Sequence, residues 1–308
     1  MKILITGAAG FIASHVTKAL LAQNHQIIAI DKLSYVSKDW SRLDEHPNLT
    51  CITWDLEIPF NDEIRALNPD IIIHMAADSH VDYSIENPVP VVKNNVISTL
   101  NLLEYARTID LKIFQYFSTD EVYGPATDKP FKEDDRHNPG NVYSASKSAA
   151  EMLCLAWQNT YHVPLIITNL MNVIGPKQYP EKFLPLVINK VLNDEVVKIH
   201  CGKNGELGSR YYIHVSVVAK AVIFIIENLA VNSKINICGQ EEINNLEFAQ
   251  RIAKIMGKEL KYELCNGDDI RPGHDLRYAL DSTKLLEMGF VYDGDFDLML
   301  EQTVKSYF

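Results

Sequence analysis

The chain has 308 residues, 47% of them hydrophobic, which is enough to bury a sizeable core in one large α/β unit or in two domains that share a cleft. Its formal net charge of -11 argues against a nucleic-acid-binding surface, because such a surface needs clustered Lys and Arg side chains. No apolar run reaches the roughly 20 residues of a membrane span, and the amino terminus lacks a signal-peptide pattern, so we expect a cytoplasmic protein.

Short runs rich in β-branched residues alternate with amphipathic helical patterns through the first half of the chain. Continuous apolar runs such as Ile71-Ile72-Ile73 indicate strands buried on both faces, as in a parallel sheet covered by helices. The predicted fold class is therefore a doubly wound α/β (Rossmann) sheet. The predicted strands are 2–6, 26–30, 50–54, 70–75, 112–117 and 164–168, and the predicted helices lie near 11–23, 61–67, 90–108 and 144–161.

After about residue 170 this alternation loosens, and prolines and glycines become frequent. We predict that a helix near 215–229 and a strand near 234–238 return to the first sheet. The expected organisation is a nucleotide-binding domain, residues 1–174 with returning segments at about 213–239, and a smaller α/β substrate lobe, residues 175–212 and 240–308. The five cysteines are odd in number and widely spaced, so we expect reduced core thiols and neither a disulfide framework nor a metal site.

A glycine-containing turn, residues 6–13, follows the first strand and opens the first helix. Gly7 permits the tight turn, and Gly10 lets the backbone approach a pyrophosphate at the helix amino terminus. Asp31 ends the second strand, where a carboxylate accepts hydrogen bonds from a ribose 2′-hydroxyl and repels a 2′-phosphate. The pattern therefore favours NAD over NADP, although Lys32 is a weaker signal in the opposite direction.

Two acids stand side by side after the apolar run that ends at Phe117. Adjacent carboxylates make each other harder to ionise, so Asp120 and Glu121 can supply a general acid and a general base together. Further on, Tyr143 and Lys147 have the i, i+4 spacing that places both on one helix face. A lysine ammonium, with the positive ring of an oxidised nicotinamide, is a source of charge that lowers the pKa of a phenol and makes it a base.

These motifs resemble the extended short-chain dehydrogenases/reductases and, within them, the nucleotide-sugar 4,6-dehydratases that act on dTDP-glucose or UDP-glucose. The similarity runs nearly end to end, and the tandem acids distinguish these dehydratases from epimerases and decarboxylases of similar fold. The matching segments are 6–12, 31–35, 74–82, 118–124, 143–147, 175–176, 179–182 and 271–275.

The resemblance implies an NAD-dependent lyase that forms a 4-keto-6-deoxy sugar nucleotide, a step toward 6-deoxyhexoses such as rhamnose. Tyr143, assisted by Thr119 and Lys147, would take the proton of the sugar C4 hydroxyl as C4 is oxidised. Glu121 would then remove the C5 proton while Asp120 protonates the departing C6 hydroxyl. The family's habit also implies a homodimer formed through the helices near 90–108 and 144–161.

The resemblance further implies two sets of binding residues. The cofactor set comprises Gly7, Ala9, Gly10, Phe11, Ile12, Asp31, Lys32, Ser34, Asp55, Leu56, Ala76, Ala77, Tyr143 and Lys147. The substrate set comprises Ser79, Asn172, Lys182, Arg210, Arg271, His274 and Tyr278.

Several departures from the family pattern leave the choice between uracil and thymine open. Asp78 stands where Glu is common, Tyr211-Tyr212 and Ser216 replace the usual acidic and tryptophan-containing pattern, and the chain is shorter than typical bacterial members. Two rival functions also remain: an NAD-dependent nucleotide-sugar epimerase or decarboxylase, and a non-catalytic NAD-binding scaffold. A product that keeps the C6 hydroxyl, or no turnover at all, would indicate one of these rivals.

Overall fold

The structure is a computed structural model and describes residues 1–228, 230–266 and 276–308. The strands are β1 (Lys2–Thr6), β2 (Gln26–Asp31), β3 (Leu49–Thr53), β4 (Ile71–His74), β5 (Ile113–Thr119), β6 (Leu165–Leu170), β7 (Val173–Ile174), β8 (Val197–Cys201), β9 (Ser209–Tyr211), β10 (Ile213–His214), β11 (Ser233–Ile237), β12 (Glu242–Asn244) and β13 (Tyr262–Asn266). The helices are α1 (Phe11–Ala22), α2 (Asp62–Arg65), α3 (Val81–Glu86), α4 (Pro88–Ala106), α5 (Val142–Tyr161), α6 (Phe183–Leu192), α7 (Val215–Glu227), α8 (Asn245–Ile255), α9 (Thr283–Glu287) and α10 (Phe296–Lys305), and a 3₁₀ turn covers Asp120–Tyr123.

Seven parallel strands form the central sheet in the order β11-β6-β5-β4-β1-β2-β3. The predicted doubly wound parallel sheet is thus confirmed. The strand order reverses between β1 and β4, so the chain winds outward in opposite directions from this point. In sheets of this kind, ligands bind in the crevice beyond the carboxyl ends of the strands at the reversal.

Both faces of the sheet are covered, which explains why the strands are continuously apolar. Ile3 and Ile5 of β1 pack in one core cluster with residues of α1 and α7. Leu4, which points to the opposite face, packs in a second cluster with residues of α2, α4 and α5. Alternate side chains of a strand point to opposite faces, so a strand covered on both sides has no position left for an exposed residue.

The rest of the chain forms a separate core beside the carboxyl edge. Apolar residues of α6, α8 and α10 pack around β8 in this third cluster. The paired strands here are short: β7 with β10, β9 with β12, and β8 with β13. Between these segments the chain returns to the main sheet, where β11 pairs with β6 and α7 packs against α1.

The structure also differs in part from the sequence-based expectations, and most of the short elements after residue 175 were not predicted. Helix α6 was not predicted because Pro185 suggested a loop, yet proline fits the first turn of a helix, where its missing N–H has no partner to lose. The expectation of core thiols was wrong for Cys51, which is exposed because β3 is an edge strand. No helix among the described residues is long and apolar enough to cross a membrane.

Candidate functional site

Parallel strands end at one edge of the sheet, so the loops that follow them share that edge. The turn at Gly7–Gly10 follows β1, and the loop at Ala76–Ala77 follows β4, on either side of the point where the strand order reverses. The tandem acids Asp120 and Glu121 follow β5, next along the sheet. The sequence motifs are thereby brought together although they lie more than a hundred residues apart.

The turn after β1 leaves no room for a side chain at Gly7. This residue has a φ of 67°, and a Cβ placed there would lie 2.8 Å from the Cα of Ala76. The Thr6 hydroxyl accepts hydrogen bonds of 3.2 Å from the backbone N–H groups of Met75 and Ala76, which holds the two loops together. The backbone of Gly10 then opens α1 without any side-chain cap. This bare helix amino terminus fits the phosphates of a dinucleotide.

Asp31 lies at the end of β2 and is buried. Its carboxylate accepts hydrogen bonds from Ala9 N at 3.1 Å, Leu33 N at 2.8 Å and the Ser37 hydroxyl at 3.2 Å. Burial raises the pKa of Asp31 above its usual range, and these hydrogen bonds oppose that rise. An acceptor-only group fixed beside the glycine turn fits a ribose diol and disfavours a 2′-phosphate.

Other predicted cofactor residues have contacts of their own within the protein. Lys32 Nζ donates to Asn94 Oδ1 at 2.7 Å, so its ammonium is directed toward α4. Asp55 accepts from the backbone N–H of Glu57 at 3.0 Å in a turn, and the adjacent Leu56 is buried. Contacts of these residues with a cofactor stay predictions, as do those of Ser34, Phe11, Ile12 and Ala77.

The Asp120 carboxyl is buried at the end of β5, with 4% of the residue exposed. Its Oδ1 accepts a 3.0 Å hydrogen bond from the Thr119 hydroxyl, while Oδ2 is buried without a hydrogen-bond partner among the described residues. Burial, and next the charge of Glu121, raise the pKa of Asp120 to about 7, against the Thr119 hydrogen bond and the charge of Arg210. A carboxyl that keeps its proton near neutral pH can serve as a general acid.

Helix α5 presents the predicted tyrosine and lysine from its first two turns. Both residues are buried, and the Lys147 ammonium lies 4.3 Å from the ring centre of Tyr116. Burial lowers the pKa of Lys147 to about 8, so the side chain remains charged at neutral pH.

The protein alone does not lower the pKa of the Tyr143 phenol, contrary to the effect expected of Lys147. Burial and then the charge of Glu121 raise this pKa, Asp120 adds to the rise, and a hydrogen bond with Thr119 only partly opposes it. A base of this type therefore needs positive charge from a bound cofactor.

The predicted substrate cations approach from the smaller core. Arg210 on β9 is buried, donates from Nη1 to Leu276 O at 2.5 Å, and lies 4.3 Å from the ring centre of Tyr278. Its charge lowers the pKa of Asp120, which places a substrate-set arginine within electrostatic reach of the acid. Lys182 Nζ donates to Ser79 O at 3.0 Å. Asn172 is partly buried after β6, and Arg271 and His274 lie outside the described residues.

Sequence reasoning missed Asn95, which joins the cofactor loop to the catalytic helix. Its side-chain oxygen accepts from Asp78 N at 2.8 Å, and its Nδ2 donates to Asp78 O at 3.1 Å and to the Ser146 hydroxyl at 2.9 Å. The available signal was the pair Asn94-Asn95 in a helix whose first turns are mostly apolar. Buried amides need partners, so two of them in a core helix indicate a polar network.

Comparisons with known proteins agree with this geometry. The model of the protein family described as "NAD dependent epimerase/dehydratase family" matches residues 3–238 of this chain. A probable dTDP-glucose 4,6-dehydratase of Sinorhizobium fredii is 34% identical over 327 residues, covering 100% of this chain and 93% of that protein.

Solved structures of dehydratases and epimerases are also similar to this chain. DesIV of Streptomyces venezuelae, a dTDP-glucose 4,6-dehydratase with NAD and TYD bound, is 29% identical with a TM-score of 0.90, covering 100% of this chain and 97% of that chain. A UDP-glucose 4-epimerase of Thermus thermophilus in complex with NAD is 26% identical with a TM-score of 0.89, covering 100% and 99%. The fold is therefore common to dehydratases and epimerases.

The collision at Gly7 predicts a loss of dinucleotide binding in Gly7→Ala. Gly257→Ala is the matched control, because Gly257 has a similar φ of 65° but no atom of the described residues lies within 4 Å of the added Cβ. Both variants carry a backbone cost of about 1 kcal/mol. We expect calorimetric titration with NAD to show at least about tenfold weaker binding, or about 1.4 kcal/mol, for Gly7→Ala only. Equal affinities in the two variants would contradict this account of the turn.

Proposed function

The chain belongs to the NAD-dependent epimerase/dehydratase family, and we propose that within it the protein is a nucleotide-sugar 4,6-dehydratase. The substrate class is a nucleoside-diphosphate glucose with uracil or thymine as its base, and the product is the 4-keto-6-deoxy sugar nucleotide. One observation carries the proposal: the buried carboxyl of Asp120, with a pKa of about 7, is next to the carboxylate of Glu121 at the carboxyl edge of the sheet. Water elimination needs an acid and a base together, whereas simple oxidation does not.

The first step is the removal of a proton from the C4 hydroxyl. Bound NAD would accept the hydride that leaves C4 and later return it at C6. Tyr143 is the proposed base, with Thr119 beside it, and the positive charge of a bound oxidised cofactor would stabilise its phenolate. Lys147, on the same helix face, keeps its positive charge at neutral pH. Gly7, Gly10 and Asp31 would hold the dinucleotide.

The second step uses the tandem acids. A ketone at C4 acidifies the hydrogen at C5, which Glu121 removes as Asp120 gives its proton to the C6 hydroxyl, and water leaves. Glu121 then returns its proton to C5. Over one cycle Tyr143 gains the proton of the C4 hydroxyl and Asp120 loses one, so solvent restores both groups. The sugar loses one molecule of water in total.

A diphosphate needs local cations in a protein of net charge -11. We propose that Arg210, Lys182 and Arg271 bind it, because arginine can donate two parallel hydrogen bonds to a phosphate. Asn172 and Ser79 would contact the sugar and diphosphate, and His274 and Tyr278 would lie beside the base or ribose.

The epimerase alternative shares the fold and the Tyr143 chemistry. It leaves the carboxyl of Asp120 without a role, because epimerisation at C4 releases no leaving group that needs a proton. A non-catalytic NAD-binding scaffold leaves Asp120, Glu121 and Tyr143 without a role. The tandem acids therefore favour the dehydratase. The cytoplasmic location stays a prediction.

Incubation with dTDP-glucose and UDP-glucose in heavy water tests the proposal. We expect a 4-keto product that has lost the C6 oxygen and carries deuterium at C5, because Glu121 exchanges its proton with solvent. Glu121→Gln should still oxidise C4 but eliminate no water, and Tyr143→Phe should block the first oxidation. Glu259→Gln, an exposed control, should match the parent. No turnover of either sugar, or a product that keeps its C6 oxygen, would overturn the proposal.

The pKa of Asp120 predicts how elimination depends on pH. A carboxyl with a pKa of about 7 is protonated below pH 7 and loses its proton above it, so the elimination rate should fall as the pH rises through about 7. Asp120→Asn should lower elimination by about 10²- to 10⁴-fold while C4 oxidation persists. Single-turnover measurements from pH 6 to 9 separate the two steps. An elimination rate that stays constant across this range in the parent would contradict the role of Asp120.

We propose a homodimer formed through α4 and α5. These helices pack against each other, and they carry exposed apolar side chains, including Val89, Val92 and Met152. A second copy of the chain would cover such exposed apolar side chains. Light scattering should give a dimer for the parent and a monomer for the double variant Val92→Glu, Met152→Glu. Leu192→Glu, an exposed apolar position on α6, is the control and should stay dimeric. A monomeric parent would refute this assembly.

A further inference from the structure

Asn141 uses both ends of its side-chain amide at the start of α5. Its Oδ1 caps the helix by accepting from Ser144 N at 2.9 Å, and its backbone N–H donates to the Ser144 hydroxyl at 3.1 Å. Its Nδ2 donates to Glu121 Oε2 at 3.1 Å. The reverse amide orientation would set an oxygen against the carboxylate and an NH₂ against the Ser144 N–H. The two contacts therefore fix one orientation.

We infer that Asn141 is a positioning residue that holds the Glu121 carboxylate for removal of the C5 proton and fixes it relative to the helix that carries Tyr143. This inference rests on the proposed function, in which Glu121 is the base. Tyr143 is two residues beyond Asn141, so one side chain connects the base of the second step to the base of the first.

The identity of the residue supports this role. Capping alone is served about equally well by Asn, Asp or Ser. Of these three, only Asn offers an acceptor for the helix and an N–H donor for a carboxylate at the same time. An Asp cap would place a like charge against Glu121, and a Ser cap is too short to reach it from the same backbone position. The donor to Glu121 thus explains why the cap is Asn.

The surroundings of Glu121 explain why a neutral hydrogen-bond donor suits its carboxylate. Its charge raises the pKa of both Asp120 and Tyr143, so the three groups share one electrostatic environment. Its backbone N–H donates to the Thr119 hydroxyl at 3.3 Å, which fixes the main chain but not the carboxylate. A hydrogen bond from a neutral amide favours the charged form of an acid and adds no charge of its own. Asn141 therefore holds the Glu121 carboxylate without adding a charge beside Asp120 and Tyr143.

Three substitutions separate positioning from capping. Asn141→Ser keeps the cap and removes the contact with Glu121, Asn141→Asp keeps the cap and the shape but replaces the donor with an acceptor, and Asn141→Ala removes both. We expect Asn141→Ser to keep the parent denaturation midpoint and to oxidise C4 within about twofold of the parent rate, whereas the added charge in Asn141→Asp should also slow the oxidation. Elimination and deuterium exchange at C5 should fall about tenfold or more, most in Asn141→Asp, as a lost hydrogen bond to a charged group of about 1.5–3 kcal/mol implies. Asn141→Ala should also lower the midpoint.

Two results would overturn the inference. Parent rates of elimination in both Asn141→Ser and Asn141→Asp would show that Asn141 is a cap alone, and equal slowing of oxidation and elimination in Asn141→Ser would show a general disturbance of the helix start. If the parent converts the sugar nucleotide and the Asn141 variants eliminate water at the same rate, this inference is refuted and the proposed function still holds.

A second measurement needs no turnover and so remains decisive if the proposed function fails. Carbon-13 NMR of glutamate-labelled protein, with the Glu121 signal assigned by its absence in Glu121→Gln, should show a displaced carboxyl signal in Asn141→Ser and Asn141→Asp. An unmoved signal would refute the contact.

Discussion

The parallel course of seven strands is the constraint on which the site depends. Because all seven carboxyl ends lie at one edge, the glycine turn after β1, the carboxylate that ends β2 and the acids after β5 occupy one crevice. The apolar strands beneath supply a low-dielectric floor. Burial shifts the pKa of polar groups at the ends of these strands. For Asp120, which follows β5, burial raises the pKa to about 7, so this carboxyl can hold a proton near neutral pH.

Asp120 and Glu121 are neighbours in the chain but differ in burial. Asp120 is enclosed and holds its proton near neutral pH, whereas Glu121, one residue further on the 3₁₀ turn, is partly exposed and bound by the amide of Asn141. These different environments support the proposed roles of Asp120 as the acid and Glu121 as the base. The charge of Arg210 lowers the pKa of Asp120 and so partly opposes the effect of burial. The substrate diphosphate would bind the same arginine.

Local patterns in the sequence were sufficient to predict the sheet, the glycine turn and the tandem acids. Ile71 to Ile73 indicate a covered strand, and Gly7 with Asp31 indicates a dinucleotide turn, because the relevant contacts lie within one strand–turn–helix unit. Contacts between distant segments were not predictable from one sequence. The hydrogen bond from Lys182 to Ser79 O spans 103 residues, and the hydrogen bond from Asn95 to Ser146 spans 51. The raised pKa of Tyr143 also depends on enclosure by the folded chain.

In the proposed function, the protein oxidises the sugar only temporarily, in order to remove water. Substrate labelled with deuterium at C4 tests it most directly, with mass spectrometry and proton NMR locating the label in the product. We expect the deuterium at C6 of the 4-keto-6-deoxy product, transferred within one molecule. Deuterium that remains at C4, or that is lost to solvent, would contradict the claim.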